Sequence, residues 1–254
     1  MLAPPPLEET IDHQLTDGDL QQPPPPQSYL LHSINSTIAI RQLPSQGISF
    51  QLWPAAAALV ALLDRQTQST SLSCLTTTNS RRLRILELGS GTGLVGIAAA
   101  ALLGASVTVT DLPHVLPNLQ FNVNGNAGIV EPRGGEVRVA AVSWGDVQQM
   151  EGVGREFDVI LGSDVVYHDH LYEPLLQTLK FFLTRGEREE REVVFVMAHL
   201  KRWKKESAFF KRANKFFDVE IIHRDSPSNG ARVGVNFYKF VTRAALKLNS
   251  VLSK

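Results

Sequence analysis

Leu83-Arg-Ile-Leu-Glu-Leu-Gly89-Ser-Gly91-Thr-Gly93 runs a short apolar strand straight into a turn with glycine at every second position. Leu94 to Leu103, small and apolar throughout, reads as the helix that follows, and Gly104 ends it. Ser106 to Thr110 is the next strand. A strand, a glycine turn, a helix and a second strand within 30 residues form a βαβ unit, which implies a parallel sheet covered on both faces.

Outward from this unit the alternation continues. Val115 to Asn124 is expected to be helical, and Glu136 to Val142 and Phe157 to Gly162 are the third and fourth strands. His170 to Leu183 is an amphipathic helix with Leu171, Leu175, Leu176 and Leu179 at helical spacing. Val193 to Met197 is a fifth strand, and Lys204 to Phe217 a basic helix. Val219 to Ile222 and Val233 to Val241 lack a crossover helix, so they are expected to form an antiparallel hairpin at one edge. The fold class is therefore α/β: a doubly wound, mostly parallel seven-stranded sheet with an antiparallel last strand. Upstream, Tyr29 to Leu43 reads as a β-hairpin turning at Asn35-Ser36, Pro54 to Leu63 as a helix, and Gln66 to Arg82 as a Ser/Thr-rich loop.

Residues 1–28 are expected to be an acidic, disordered tail. They hold seven of the 14 prolines and five acids without a basic residue. Residues 29–254 are expected to form a single domain, with hairpin, helix and loop at 29–82 and the seven-strand core at 83–241. With 43% hydrophobic residues, the 254-residue chain can bury a sizeable core. Its zero net charge conceals an asymmetry: residues 1–184 carry nine basic and 17 acidic side chains, whereas residues 185–254 carry 16 and eight. The longest early apolar run, Ala55 to Leu63, is nine residues against the roughly 20 of a membrane span, so no membrane association is expected. The single cysteine, Cys74, excludes an internal disulfide and a cysteine-rich zinc site and fits a cytoplasmic protein. His168 and His170 lack a nearby third ligand, so no metal is expected.

The glycine turn removes Cβ atoms where a ligand must approach the backbone. Asp111, 20 residues after Gly91 at the end of the second strand, suits a ribose diol. Gly91, Gly93 and Gly96 also spell the dinucleotide pattern, so a nicotinamide cofactor is one reading. Glu87 favours another: an acid beside the turn repels a pyrophosphate but suits S-adenosylmethionine, with its sulfonium and amino group. Asp164-Val-Val-Tyr167 follows the fourth strand at its carboxyl end, where open α/β sheets bind ligands.

Leu86 to Ile97, Thr110-Asp-Leu112 and Leu161-Gly-Ser-Asp-Val-Val-Tyr167 together resemble the class I, seven-strand methyltransferases. With Gln51-Leu-Trp53-Pro-Ala, Asn118-Leu-Gln-Phe-Asn122 and Ser143-Trp-Gly145, the resemblance narrows to the methyltransferase-like 21 group of protein-lysine N-methyltransferases. It covers about Tyr29 to Val241 and implies a Rossmann-like methyltransferase fold. It also implies that Gly89, Ser90 and Gly91 line the methionine end of S-adenosylmethionine, and that Asp111 accepts from the ribose. Trp53 would lie near the cofactor, Trp144 beside the adenine, and Ser163 against the cofactor. Asp164 would orient the incoming amine, and Tyr167 would bound its channel.

The expected activity is methyl transfer to a lysine of a folded partner protein, a chaperone or other ATP-driven protein, by a monomeric enzyme. The alternative is a small-molecule or nucleic-acid methyltransferase on the same scaffold. Val165 and Val166 stand where nucleobase enzymes have prolines, which argues against nucleic acid. A silent binding module is disfavoured by the intact Asp111 and Asp164.

Overall fold

The computed structural model describes residues 25–65, 72, 75, 81–184, 192–227 and 234–243. Most of the expected tail and most of the Ser/Thr-rich loop lie outside this range. The hairpin comprises β1 (Gln27–Leu31) and β2 (Ser36–Ile40), turning through Asn35 in the left-handed region. It begins two residues before its apolar signal, because Gln27 and Ser28 pair with Ile40 and Ala39 through the backbone. Helix α1 (Pro54–Arg65) follows, with proline in the first turn, where its missing N–H leaves no bond unmade.

The core runs β3 (Arg84–Leu88), α2 (Leu94–Leu103), β4 (Ser106–Asp111), α3 (Leu116–Gly125), the short α4 (Ala127–Val130), β5 (Glu136–Ala141), α5 (Val147–Val153), β6 (Val159–Ser163), α6 (Tyr172–Leu183), β7 (Val194–His199), α7 (Ser207–Ala213), β8 (Phe217–Arg224) and β9 (Asn236–Thr242). Strand order is β5-β4-β3-β6-β7-β9-β8. The first five strands are parallel, and β9 is antiparallel to both neighbours. This is the predicted seven-stranded, doubly wound sheet with its late antiparallel insertion.

The basic helix is shorter than its sequence signal. A 3-10 turn at Lys204–Glu206 leads into α7, which ends at Ala213, and Phe217 already belongs to β8. Burying Phe217 against the sheet outweighs one more helical turn. Helix α5 had no sequence expectation; its Asp146 cap accepts from Gln149 N–H at 3.1 Å.

Side chains along β3 alternate between two cores. Ile85 joins Val107, Val159 and Val196 beneath α1 and α2, while Leu86 and Leu88 join Ile160, Phe195 and Leu175 beneath α6. The chain leaves β3 toward β4 and β5, then returns to the other side of β3 as β6. The carboxyl ends of β3 and β6 therefore form a topological switch point, where a crevice opens.

One face of α3 ties the hairpin to this switch point. Asn126 exchanges two hydrogen bonds with the Ala39 backbone, donating to its carbonyl (2.9 Å) and accepting from its N–H (3.0 Å). Asn122 does the same with Arg41 (3.1 and 2.9 Å) and also donates to the Thr92 carbonyl inside the glycine turn (2.9 Å). Asn118 accepts from Arg41 Nε at 2.8 Å. Spaced four apart, the three amides stand in for a missing strand partner of β2. Asn122→Ala leaves the Arg41 backbone groups and the Thr92 carbonyl without these partners. Urea denaturation is expected to show a loss of about 1–3 kcal/mol; an unchanged midpoint would show that the ladder holds nothing.

Candidate functional site

The switch point opens into a cavity of about 600 Å³, within the usual range for ligand sites. Gly91 has φ +55°, and a Cβ there would stand 3.0 Å from the Ser49 carbonyl oxygen, so the position favours glycine under the segment leading to α1. The turn is stitched to the end of β4. Ser90 N–H donates to the Thr110 carbonyl (2.9 Å), Thr110 N–H donates to Ser90 Oγ (3.0 Å), and Gly91 N–H donates to Asp111 Oδ2 (2.7 Å). The other Asp111 oxygen accepts from Leu112 N–H at 2.8 Å. Burial pushes the Asp111 carboxyl above its ordinary value, against the pull of these two N–H groups. A cationic ligand in the cavity would favour its charged form.

The structure brings Trp53, Gly89, Ser90, Gly91, Asp111, Trp144, Ser163, Asp164 and Tyr167 to the wall of this one cavity. Glu87 does not line it. It shares the α2-facing side of β3 with Ile85, and its Oε2 accepts from Gly96 N–H at 2.9 Å in the first turn of α2. A Cβ at position 96 would lie 2.7 Å from that oxygen and 2.2 Å from Val109 Cγ1, so the third glycine of the dinucleotide pattern is there for packing. Glu87 is 1% exposed, and burial pushes its carboxyl up to about 8, so at pH 7 it is mostly protonated. It therefore does not supply the fixed negative charge expected beside the turn.

Asp164 follows β6 in the left-handed region, with φ +53°. For a non-glycine residue this conformation costs of order 1 kcal/mol, and it persists because the surroundings hold it. Its N–H donates to the Ala198 carbonyl (2.9 Å), its Oδ1 accepts from Leu200 N–H (2.9 Å), and its Oδ2 accepts from Arg202 Nη2 (2.8 Å). The Arg202 guanidinium also faces the Trp53 ring at 5.3 Å. The Trp53 indole N–H donates to the Ile48 carbonyl at 2.9 Å. Tyr167 packs edge-on to Trp144, 6.4 Å between ring centres, and burial raises its phenol pKa, with the Asp111 charge adding to the effect.

Sequence reasoning missed the support behind Asp164. His199, at the end of β7, is fully buried; its Nδ1 is 3.7 Å from Asp164 Oδ1 and its Nε2 is 3.2 Å from Glu206 Oε2. Burial lowers its pKa despite both carboxylates, which favours the neutral ring. Glu206 Oε2 also accepts from Arg202 N–H at 3.1 Å. Arg202 lies two residues before the expected basic helix and carried no site expectation. Its place just past the end of β7, beside the switch point, was the signal available.

Comparison with known proteins places the chain in a family. A profile of the lysine methyltransferase family matches residues 33–216. The chain is 32% identical over 194 residues to EEF1A lysine methyltransferase 3 of Mus musculus, covering 76% of this chain and 72% of that one. It is 35% identical over 193 residues to protein N-lysine methyltransferase METTL21A of Mus musculus, covering 75% and 79%. A putative transferase from Pyrococcus horikoshii shares the fold, with a TM-score of 0.50 at 12% identity over 86% of this chain and 72% of its own.

With the family match, the fold and cavity define an S-adenosylmethionine-dependent methyltransferase of the seven-strand type. The chain belongs to the lysine methyltransferase family and is a protein-lysine N-methyltransferase. Its acceptor is a protein, and the donor's cationic sulfonium suits a cavity that presents two buried carboxylates, Asp111 and Asp164. Among the described residues no helix is long and apolar enough to cross a membrane, and no three His, Cys, Asp or Glu side chains converge as metal ligands would.

The Glu87 proton has a measurable consequence. Between the ordinary carboxyl value of 4.5 and about 8, the folded chain holds a proton that the unfolded chain has released. Its contribution to stability is therefore full below 4.5 and is lost as pH rises to about 8. Glu87→Gln keeps an acceptor for Gly96 N–H and has nothing to titrate. Calorimetric Tm values from pH 5 to 8.5 are expected to show the variant gaining on the parent as pH rises. Parallel curves would contradict the assignment.

Proposed function

We propose that the two ends of the cavity divide the work. The methionine end of the cofactor lies along Gly89, Ser90 and Gly91, its ribose on Asp111, its adenine beside Trp144, with Trp53 and Ser163 completing the wall. The acceptor lysine reaches Asp164 past Tyr167. S-adenosylmethionine supplies, when bound, a methyl group on a sulfonium that a lone pair can displace in line. The observation that carries this reading is the Asp164–Arg202 pair: the carboxylate expected to meet a substrate cation already holds one of the chain's own, at 2.8 Å beside an aromatic ring.

A lysine amine has a pKa near 10.4 in water, so at pH 7 it arrives protonated. The apolar rings of Trp53 and Tyr167 disfavour the charged form by desolvation, and the Arg202 guanidinium disfavours it by repulsion. Asp164, fixed in its strained conformation by Ala198, Leu200 and Arg202, accepts from the amine and aims its lone pair. Alignment of this kind supplies a large share of a displacement rate. The partner is proposed to be a folded chaperone or other ATP-driven protein, met by a monomeric enzyme in the cytoplasm. The resemblance to the methyltransferase-like 21 group supports that substrate class.

Asp164→Ala and Asp164→Asn test the assignment together, because asparagine tolerates the left-handed conformation and keeps the shape. Both are expected to lower kcat/KM for methyl transfer about 100-fold or more, with affinity for the demethylated cofactor changed only severalfold. Transfer at the native rate by Asp164→Asn would remove Asp164 from the acceptor site.

A further inference from the structure

The segment from Lys201 to Lys205 forms one rim of the cavity, with Arg202, Trp203 and Lys205 lining its mouth. All five residues are exposed, Trp203 by 60%. Its cations are not neutralised locally. Glu206, the adjacent acid, is turned inward, 1% exposed, and held by His199 and the Arg202 N–H. Arg202 is committed to Asp164. Among the described residues no acid forms an ion pair with Lys201, Lys204 or Lys205; the Lys201 ammonium reaches only the Ser207 hydroxyl, at 3.3 Å.

The rim is also held in place from beneath. Leu200 N–H is bound to Asp164, Arg202 N–H to Glu206, and Glu206 N–H to the Trp203 carbonyl at 3.3 Å. The cations are therefore presented on a pinned loop at the mouth through which a cationic side chain must pass.

A lysine approaching this mouth meets like charge. That repulsion helps to strip its proton but opposes binding, unless the substrate brings compensating charge of its own. We propose that the Lys201–Lys205 rim docks an acidic segment of the protein substrate, so that the target lysine is flanked by Asp or Glu. The flanking carboxylates meet Lys201, Lys204 and Lys205, and the exposed Trp203 indole supplies an apolar platform for the intervening backbone. This rests on Asp164 as the acceptor-lysine position. A nucleic-acid partner fits less well, since the rim is a single five-residue turn with one indole rather than a track of cations and stacking rings.

Fluorescently labelled peptides with a single central lysine and acidic, neutral or basic flanks, and a single-stranded RNA of similar length, are titrated by anisotropy in the presence of the demethylated cofactor. The wild-type chain is compared with Lys201→Glu/Lys204→Glu, whose residues lie outside the cavity wall. The acid-flanked peptide is expected to bind at least tenfold more tightly than the neutral one, and to weaken as salt rises from 0.05 to 0.3 M. The double variant is expected to lose that preference while its thermal shift with the demethylated cofactor stays unchanged. Equal binding of acidic and neutral peptides, or a preference that survives the double variant, overturns the proposal. RNA binding tighter than the acidic peptide and lost in the variant overturns it in favour of nucleic acid. Failure of the Asp164 assignment is read separately, in the rates of the Asp164 variants.

Discussion

The hydrogen bond from Gly91 N–H to the Asp111 carboxylate is the joint on which the site depends. It ties the glycine turn after β3 to the end of β4, and the two Ser90–Thr110 bonds keep the strands in register at that joint. Asn122 then ties the same turn, through Thr92, to the N-terminal hairpin. A turn of glycines has little conformational preference of its own. Here its shape is imposed by neighbours from three directions, and one wall of the cavity inherits that shape. The same carboxylate that shapes the turn also lines the cavity.

The wall at Asp164 is built differently. Asp164 sits in a conformation that most residues avoid, and it stays there because β7 offers a carbonyl at Ala198 and the segment after it an N–H at Leu200 and a guanidinium at Arg202. The buried His199 and the inward-turned Glu206 fill the space behind it. A carboxylate so constrained cannot relax toward water, and its orientation is available before any substrate arrives. The asymmetry of charge along the chain follows the same division. Asp111 and Asp164 come from the acidic first part, and the cations at the mouth from the basic last part.

Much of this was legible in the sequence because it depends on local patterns. The Leu83–Gly93 stretch fixes the strand and turn, and the period-2 and period-3.6 runs beyond it fix the sheet class. Strand ends then locate Asp111, Ser163, Asp164 and Tyr167 at one cavity. Other features depend on partners distant in sequence. Arg202 pairs with a residue 38 positions away, and among neighbouring cations it reads as one more exposed charge. The asparagines of α3 show their spacing but not the strand they bind, which lies about 80 residues earlier. Glu87 is instructive because the same alternation that makes β3 a strand places it beneath α2 with Ile85, away from the cavity. Motif position drew it to the ligand; strand periodicity sends it to the helix.

A crystal structure with the demethylated cofactor tests most directly the claim that one cavity holds donor and acceptor at opposite walls. The account predicts the ribose hydroxyls within hydrogen-bond distance of the Asp111 carboxylate and the sulfur turned toward the side bounded by Ser163 and Asp164. A ribose bound away from Asp111, or a sulfur facing the wall opposite Asp164, would contradict it.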